Sequence, residues 1–175
     1  GDRYSAGRYG YTRSNGKKMH NGIDLYAEVG TPVYAMMDGI VTRVVDCQPN
    51  RSLSYGTASG LPIEYEKSGK DKNDAGNRIT IRSTYNNDTI EHSYWHLQAE
   101  TPIAINPSTQ KTYKVGDKVL KGTIIGYTGI TGNAYSVPNP HLHLNIRKNG
   151  KSHNPEDYLE ATVKNQSKID TPCDE

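Results

Sequence analysis

The sequence predicts a single all-β domain with antiparallel pairing. Short β-branched runs are separated by glycines, and the 175 residues include 17 Gly and 9 Pro. Several runs alternate apolar and polar residues, which is typical of strands that bury one face. A helical period is nearly absent. A chain of this length can enclose one substantial core.

Four segments carry the strand signals, namely 31–45, 77–97, 113–132 and 141–151. In the first, the favoured turn pair Asp38-Gly39 separates two β-branched runs and predicts a hairpin. In the second, the runs 77–84 and 90–97 alternate, and we expect them to pair across a turn at 85–88.

The C-terminal part carries local turn and helix signals. The Asn149-Gly150 pair predicts a turn after the last long strand. A short helix is predicted over 154–159, because its first residues, Asn and Pro, suit the N-cap and the first helical position. Residues 160–175 are polar and are expected to form a loosely held tail. Residues 46–76 lack a clear period and predict a long insertion between strands.

Composition excludes several classes of protein. The 21 Lys+Arg and 19 Asp+Glu give a net charge of +2, too small a bias to indicate nucleic-acid binding. No apolar run approaches the roughly 18 residues of a membrane span. Cys47 and Cys173 could form one disulfide in an exported protein or remain free thiols. The chain begins with Gly1 and shows no targeting segment. We therefore expect either that a signal or anchor was removed or that the protein never had one.

The strongest chemical signal is "HLH" at 141–143. Alternate residues of a strand point to the same face, so His141 and His143 are expected to stand side by side. Two protonated imidazoles would repel each other, whereas a metal ion binds neutral imidazole. The pair therefore indicates a metal site.

Two further motifs supply polar groups. In "HNGID" (20–24) the Asn-Gly pair argues against a helix, so we expect His20 and Asp24 to converge from a loop that leads into a strand. In "SYWHL" (93–97), Tyr94 and His96 are expected to share one strand face.

Together the motifs provide four histidines and one carboxylate. A catalytic zinc takes three protein ligands and leaves one position for water. Two groups would then remain for acid–base chemistry, which fits a hydrolase in which a metal polarises a carbonyl and an imidazole moves protons. The number of candidate groups does not show which three of them bind the metal.

The order and spacing of the motifs resemble those of the M23 peptidases, the zinc endopeptidases of the lysostaphin and LytM type that cleave peptidoglycan. The family signatures are H-x-x-x-D, a histidine in a Y-x-H-L strand, and H-x-H; this chain has "HNGIDL", "YWHL" and "PHLHL". The contexts "GTPVYAMMDGIV", "GNRITI" and "VGDKVLKGTIIGYTGITGN" match as well. The resemblance implies an N-terminal segment (1–19), a metallopeptidase domain (20–159) that contains the insertion at 46–76, and a C-terminal tail (160–175).

The resemblance also implies a fold, an activity and a setting. The fold would be the lysostaphin-type antiparallel sheet, similar to a duplicated hybrid motif, with long loops around a surface groove. The activity would be zinc-dependent hydrolysis of an amide bond in peptidoglycan peptide cross-links. The partners would be peptidoglycan peptides, with no nucleic acid and no membrane span in this chain. We expect a monomer in the cell envelope, periplasmic or secreted.

Carried over position by position, the resemblance implies that His20, Asp24 and His143 bind Zn²⁺. His96 and His141 would be the uncoordinated catalytic pair, which orients or deprotonates the attacking water and stabilises the oxyanion.

Other polar residues are assigned less directly. Tyr94 is expected to border the substrate groove, or else to pack as an ordinary strand tyrosine. Asn77 is also assigned to substrate binding by the resemblance, although it is more plausible as a residue that fixes a loop. His92 falls on the same predicted strand face as Tyr94 and is a minor candidate for the groove, and His153 is expected to be solvated in a turn.

Two departures from the family pattern bear on specificity. Asn145 stands where the family often has Glu, which removes a contact near the site rather than a ligand. The stretch "AYSVPN" (134–139) is longer than in compact members. With the insertion, it could reshape the groove.

Three alternatives remain open at this stage. A facial triad of two histidines and one carboxylate would bind iron in an oxygenase, though that class usually shows H-x-D. A module of the same fold could bind peptidoglycan or activate a hydrolase without catalysis, although all five polar positions are filled here. A lipoyl-type carrier hairpin is disfavoured because no lysine stands in a suitable separate turn.

Overall fold

The described part of the computed structural model comprises residues 7–48, 75–136 and 140–159. Within it lie thirteen strands: β1 (Gly10–Arg13), β2 (Lys18–His20), β3 (Gly22–Tyr26), β4 (Pro32–Tyr34), β5 (Gly39–Val45), β6 (Asn77–Tyr85), β7 (Asp88–Leu97), β8 (Ile105–Asn106), β9 (Lys111–Thr112), β10 (Lys118–Val119), β11 (Ile124–Tyr127), β12 (His141–Lys148) and β13 (Lys151–His153). Two 3₁₀ helices span Gly132–Ser136 and Pro155–Tyr158. No helix in these ranges has the length and apolarity required to cross a bilayer.

Several predictions lie outside the described residues. These are most of the 46–76 insertion, the 160–175 tail, Cys173 and the end of the 134–139 stretch. Cys47 is described and is exposed.

Antiparallel pairing builds the main sheet. Its strands run in the order β10–β5–β6–β7–β12–β13, and β3 also pairs with β12. The pairings within the described ranges are all antiparallel. The predicted all-β antiparallel fold is therefore confirmed. The central position of β12, between β7 on one side and β3 and β13 on the other, decides where the functional groups meet.

One face of the main sheet covers the hydrophobic core. Ile79 and Ile81 of β6 lie opposite Tyr94 and His92 of β7, and all four side chains are buried. Leu144 of β12 pairs with Tyr94 and continues the same row. Because side chains alternate along a strand, the residues between these positions project from the opposite face.

The predicted pairing of 77–84 with 90–97 is confirmed. β6 and β7 pair along their length, and Tyr85 lies opposite Asp88 at the hairpin end. Between them, Asn86 and Asn87 have φ angles of 48° and 65°. Positive φ at both central residues belongs to the tight turn that matches strand twist, and asparagine tolerates it.

The C-terminal signals are also confirmed. Asn149 and Gly150, with φ of 49° and 79°, join β12 to β13. The short helix predicted at 154–159 is a 3₁₀ helix, and the Asn154 side chain accepts a hydrogen bond from the Glu156 amide at 3.1 Å. His153, expected in a turn, instead ends β13, and its Nε2 lies 2.8 Å from Oδ2 of Asp157.

The predicted hairpin at 31–45 is wrong. β4 pairs with β11, whereas β5 pairs with β6 and β10. Asp38 accepts a hydrogen bond from the Lys121 amide at 2.7 Å, so it holds a distant segment rather than a turn. A Cβ on Gly39 would collide with the carbonyl oxygen of Arg82, so glycine is needed for the close approach of β6.

His92 belongs to the core and does not reach a groove. It has no exposed surface, and its ring nitrogens form hydrogen bonds with the Ser83 hydroxyl at 2.8 Å and the Tyr94 hydroxyl at 2.9 Å. Burial lowers the pKa of His92 to about 4, so the ring is neutral at neutral pH.

Replacing His92 with Gln should flatten the pH dependence of stability on the acid side. The unfolded histidine takes up a proton near pH 6.5, whereas the folded one does so only near pH 4. The stability that depends on a neutral His92 is thus complete above pH 6.5 and is lost as the pH falls towards 4. The loss is up to about 1.4 kcal/mol per pH unit. Urea unfolding of both proteins across this range measures the difference, and equal slopes would contradict the assignment.

Candidate metal and catalytic site

The candidate site lies on the face of the sheet opposite the core. Leu142 and Leu144 of β12 point into the core, so His141 and His143 project from the other face. Strand register then brings Asp24 of β3 directly opposite His143. The side-by-side arrangement predicted from "HLH" therefore holds, and pairing with β3 adds a carboxylate.

His20 reaches this cluster from the end of β2. The Nδ1–H of His20 donates to the carbonyl oxygen of Arg8 at 2.8 Å, so Nε2 carries the lone pair. That nitrogen is 3.2 Å from Oδ1 of Asp24 and 3.1 Å from Nδ1 of His143. The predicted convergence of His20 and Asp24 is thus present, although His20 ends a strand rather than lying in a loop.

The three donor atoms fit a tetrahedral metal site. They lie within 4.8 Å of one another, and Nδ1 of His143 is 2.8 Å from Oδ1 of Asp24. Bonds of about 2.0–2.1 Å in a tetrahedron place ligands about 3.3 Å apart, close to the spacings seen here. Nδ1 of His143 faces the other two donors, whereas its Nε2 is buried against Gly22, so Nδ1 is the nitrogen through which this residue can bind.

Protonation states also suit metal binding. Burial by itself would raise the pKa of Asp24, but hydrogen bonds with His143 and His20 outweigh it and hold that pKa well below its usual range. Burial lowers the pKa of His143, although Asp24 acts in the opposite direction. An ionised carboxylate and neutral imidazoles are the forms that bind metals.

His96 enters the site through a β-bulge that the sequence pattern did not predict. Between the pairs Ile79–Tyr94 and Asn77–Leu97, β7 contains one extra residue, and His96 has a φ of 62°. This local change turns the His96 ring away from the core face, to within 5.0 Å of the His141 ring, measured between ring centroids.

The predicted shared face of Tyr94 and His96 is therefore wrong. Tyr94 stays on the core face, where it is 2% exposed and its hydroxyl accepts a hydrogen bond from the Met36 amide at 2.9 Å. Tyr94 therefore does not border the substrate groove and instead packs as an ordinary strand tyrosine.

The two remaining histidines form a buried pair beside the donor cluster. The Nδ1–H of His96 donates to the Thr131 carbonyl oxygen at 2.9 Å, which leaves Nε2 as an acceptor. Burial, followed by the nearby His141 and His143, lowers the pKa of His96 to about 3. Nε2 of His141 is 3.8 Å from Oδ1 of Asp24, outside hydrogen-bond distance.

Asn77 and Asn145 support the loops around the site. Asn77 is fully buried. Its side chain forms hydrogen bonds with the Gln48 backbone and the Gln98 carbonyl oxygen, and its backbone N–H donates to the Thr131 hydroxyl at 2.9 Å. It therefore fixes loops and has no surface for substrate. Asn145, which replaces the common Glu, donates from its side chain to the Asn21 carbonyl at 2.5 Å and so holds the link between β2 and β3.

Sequence reasoning missed two residues at the site. Nη2 of Arg13 lies 2.6 Å from Oδ2 of Asp24 and 2.9 Å from Nε2 of His20. The Trp95 ring lies 4.7 Å from the His143 ring at an interplanar angle of 30°. No motif marks Arg13, whereas Trp95 could have been found from the cross-strand register of β7 and β12.

The fold and the site together define an antiparallel β-sheet protein with a candidate metal site of histidine and carboxylate donors. The sequence profile of peptidase family M23 matches residues 18–155. The chain belongs to this family.

Individual relatives agree with this assignment. Peptidoglycan DD-endopeptidase ShyC of Vibrio cholerae is 31% identical over 138 residues, which cover 79% of this chain and 22% of the relative. Glycyl-glycine endopeptidase ALE-1 of Staphylococcus capitis is 31% identical over 135 residues, 77% of this chain and 26% of the relative. The chain thus spans about a quarter of the length of these relatives.

A solved structure supports the fold. The catalytic domain of the antimicrobial peptidase lysostaphin from Staphylococcus simulans is 25% identical, with a TM-score of 0.55 and coverage of 89% of this chain and 90% of that one. The predicted lysostaphin-type fold is therefore confirmed.

Replacing Arg13 with Gln should weaken metal binding at the candidate site by roughly 10-fold or more, because a hydrogen bond that orients the Asp24 carboxylate, a candidate ligand, is lost. Competition with a chromophoric chelator measures the affinity for Zn²⁺. Arg82→Gln is the matched control, since Arg82 pairs with Glu91 and contacts no candidate ligand. Tighter binding by the Arg13 variant would show instead that this guanidinium competes for His20.

Proposed function

We propose that this chain is a zinc-dependent endopeptidase that hydrolyses an amide bond in the peptide cross-links of peptidoglycan. The observation that carries the proposal is the convergence of His20, Asp24 and His143 donor atoms beside the buried pair His96 and His141. Imidazole and carboxylate are the ligands of catalytic zinc, and three of them leave a position open.

Each side chain then has a separate task. The ion would be held by His20, Asp24 and His143. The carbonyl oxygen of Arg8 fixes His20, and the guanidinium of Arg13 fixes Asp24. When bound, zinc supplies Lewis-acid polarisation of the substrate carbonyl and promotes ionisation of water.

His96 is suited to orient or deprotonate the attacking water, because its lowered pKa keeps the ring neutral and Nε2 available as an acceptor at neutral pH. Its Nδ1–H is held by the Thr131 carbonyl, so the ring cannot present a second tautomer without losing a buried hydrogen bond. Nε2 can take a proton from the attacking water and later pass it to the amine that leaves when the C–N bond breaks.

His141 is suited to stabilise the oxyanion. It is buried on the same face, with its ring 5.0 Å from that of His96, and outside hydrogen-bond distance of Asp24. An N–H placed where charge develops on the carbonyl oxygen contributes more in a water-poor site than in water.

The relatives' names support the substrate class. One is named for a peptidoglycan DD-endopeptidase activity and another for a glycyl-glycine endopeptidase activity. Cleavage of peptidoglycan peptides places the action of this chain in the cell envelope or outside the cell.

The His143→Ala variant should lose zinc, whereas His141→Ala should retain it and lose roughly 100-fold or more in kcat. Elemental analysis of protein purified without added metal gives zinc content, and release of new amines from purified peptidoglycan gives activity. His153→Ala, a surface histidine outside the site, is the control and should match the parent. Equal zinc loss in both site variants would contradict the division of roles, and stoichiometric iron would point to an oxygenase.

Digestion of defined cross-linked muropeptides should yield products in which a single cross-link amide is cut. Mass spectrometry of the products identifies the bond, and a zinc chelator should stop the reaction with recovery on adding Zn²⁺. Zinc-loaded protein that binds peptidoglycan without releasing any amine would overturn the enzymatic proposal in favour of a binding module.

A further inference from the structure

Two arginines lie on the same face of the sheet as the candidate site, one on β6 next to β7 and one on β5 beyond it. Arg78 of β6 is adjacent to core-facing Ile79 and therefore projects from the opposite face. Arg43 of β5 lies opposite Thr80, two residues further along β6. The hydrogen bond between Thr80 and Ser93 at 2.8 Å shows that this face continues onto β7.

Arg78 is half-buried and has no anionic partner among the residues that the structure describes. Its Nε is buried without a hydrogen-bond partner. Burial, followed by the charge of Arg43, lowers the pKa of Arg78. Within the described ranges no carboxylate forms an ion pair with either arginine, whereas Arg8, Arg13 and Arg82 each have one.

Such a pair is unfavourable unless an anion joins it. A guanidinium that is removed from water without its hydrogen bonds loses solvation, and a second arginine adds repulsion. A carboxylate that binds in the plane of the guanidinium satisfies two N–H groups and neutralises the charge.

The arginine pair is also close to the candidate metal ligands. The guanidinium carbon of Arg78 lies 5.8 Å from the centroid of the Trp95 ring, whose centroid is 4.7 Å from that of His143. The Trp95 ring therefore lies between Arg78 and the candidate ligand His143. An extended peptide spans about 3.4 Å per residue, so a group within about three residues of the cleaved amide reaches Arg78.

We propose that Arg78, assisted by Arg43, forms a subsite that binds a free carboxylate of the peptide substrate beside the amide to be cut. The proposal rests on the endopeptidase function proposed above and narrows its substrate. A cross-link made through a diamino acid can keep a carboxylate next to the new amide, whereas an oligoglycine bridge has none between its glycines. The subsite therefore selects carboxylate-bearing cross-links.

The test compares two substrates that differ at one group. A synthetic peptide cross-linked through a diamino acid is prepared with that residue's carboxylate free or converted to carboxamide, and kcat/KM is measured for each. The parent protein should favour the carboxylate by roughly 10- to 100-fold, the value of a charge-assisted hydrogen-bonded pair. Arg78→Gln should abolish this preference, mainly through KM, and Arg43→Gln should reduce it.

Arg82→Gln is the matched control. Arg82 lies on the same strand and face as Arg78 but is paired with Glu91 at 3.0 Å, so its loss should leave the preference unchanged. Thermal melting of each variant shows whether it is folded. Titration of the zinc-free parent and zinc-free Arg78→Gln with the carboxylate peptide provides a readout independent of catalysis, and the variant should bind more weakly.

The outcomes separate this proposal from the proposed function. Cleavage of both substrates at equal rates by the parent, or an unchanged preference in folded Arg78→Gln, overturns the carboxylate subsite and leaves the endopeptidase intact. Failure of the zinc-loaded parent to cleave either peptide, or any muropeptide, overturns the endopeptidase function itself.

Discussion

The candidate site depends on the register in which β12 pairs with β3 and β7. This register places Asp24 and Trp95 on either side of His143. A slip of one residue would turn every side chain of a strand to the other face, which would move the histidines into the core and leucines to the surface. Burial of Leu142 and Leu144 in the core stabilises one register, and this register keeps His141 and His143 on the opposite face.

Glycine at position 22 allows this pairing. A Cβ there would collide with the Leu144 carbonyl oxygen and lie 2.5 Å from Nε2 of His143. The "HNGID" motif therefore carries a steric requirement in addition to its two polar groups. The strand that supplies the carboxylate can approach the strand that supplies the imidazole only because no side chain separates them.

Residues before the first motif complete the site in this chain. The family match begins at residue 18. The Gly7 carbonyl accepts a hydrogen bond from the Asp24 amide at 2.8 Å, and the Arg8 carbonyl accepts one from His20. The Arg8 side chain pairs with Glu156, which ties this segment to the C-terminal 3₁₀ helix. The N-terminal segment thus orients the candidate ligands, which the expectation of a separate 1–19 segment did not include.

Local patterns in the sequence determined the all-β class, the β6–β7 hairpin, the turn at Asn149-Gly150 and the histidines and carboxylate that could converge. These depend on a period of two and on turn chemistry, which act over a few residues. Contacts between distant segments decided the rest: the partners of β4 and β5, the bulge that turns His96 away from Tyr94, and the positions of Arg13 and Arg78. The residues of a strand do not by themselves specify which strand pairs with it or where a β-bulge is inserted. Only packing in three dimensions, with its demand for a filled core and satisfied hydrogen bonds, decides those features.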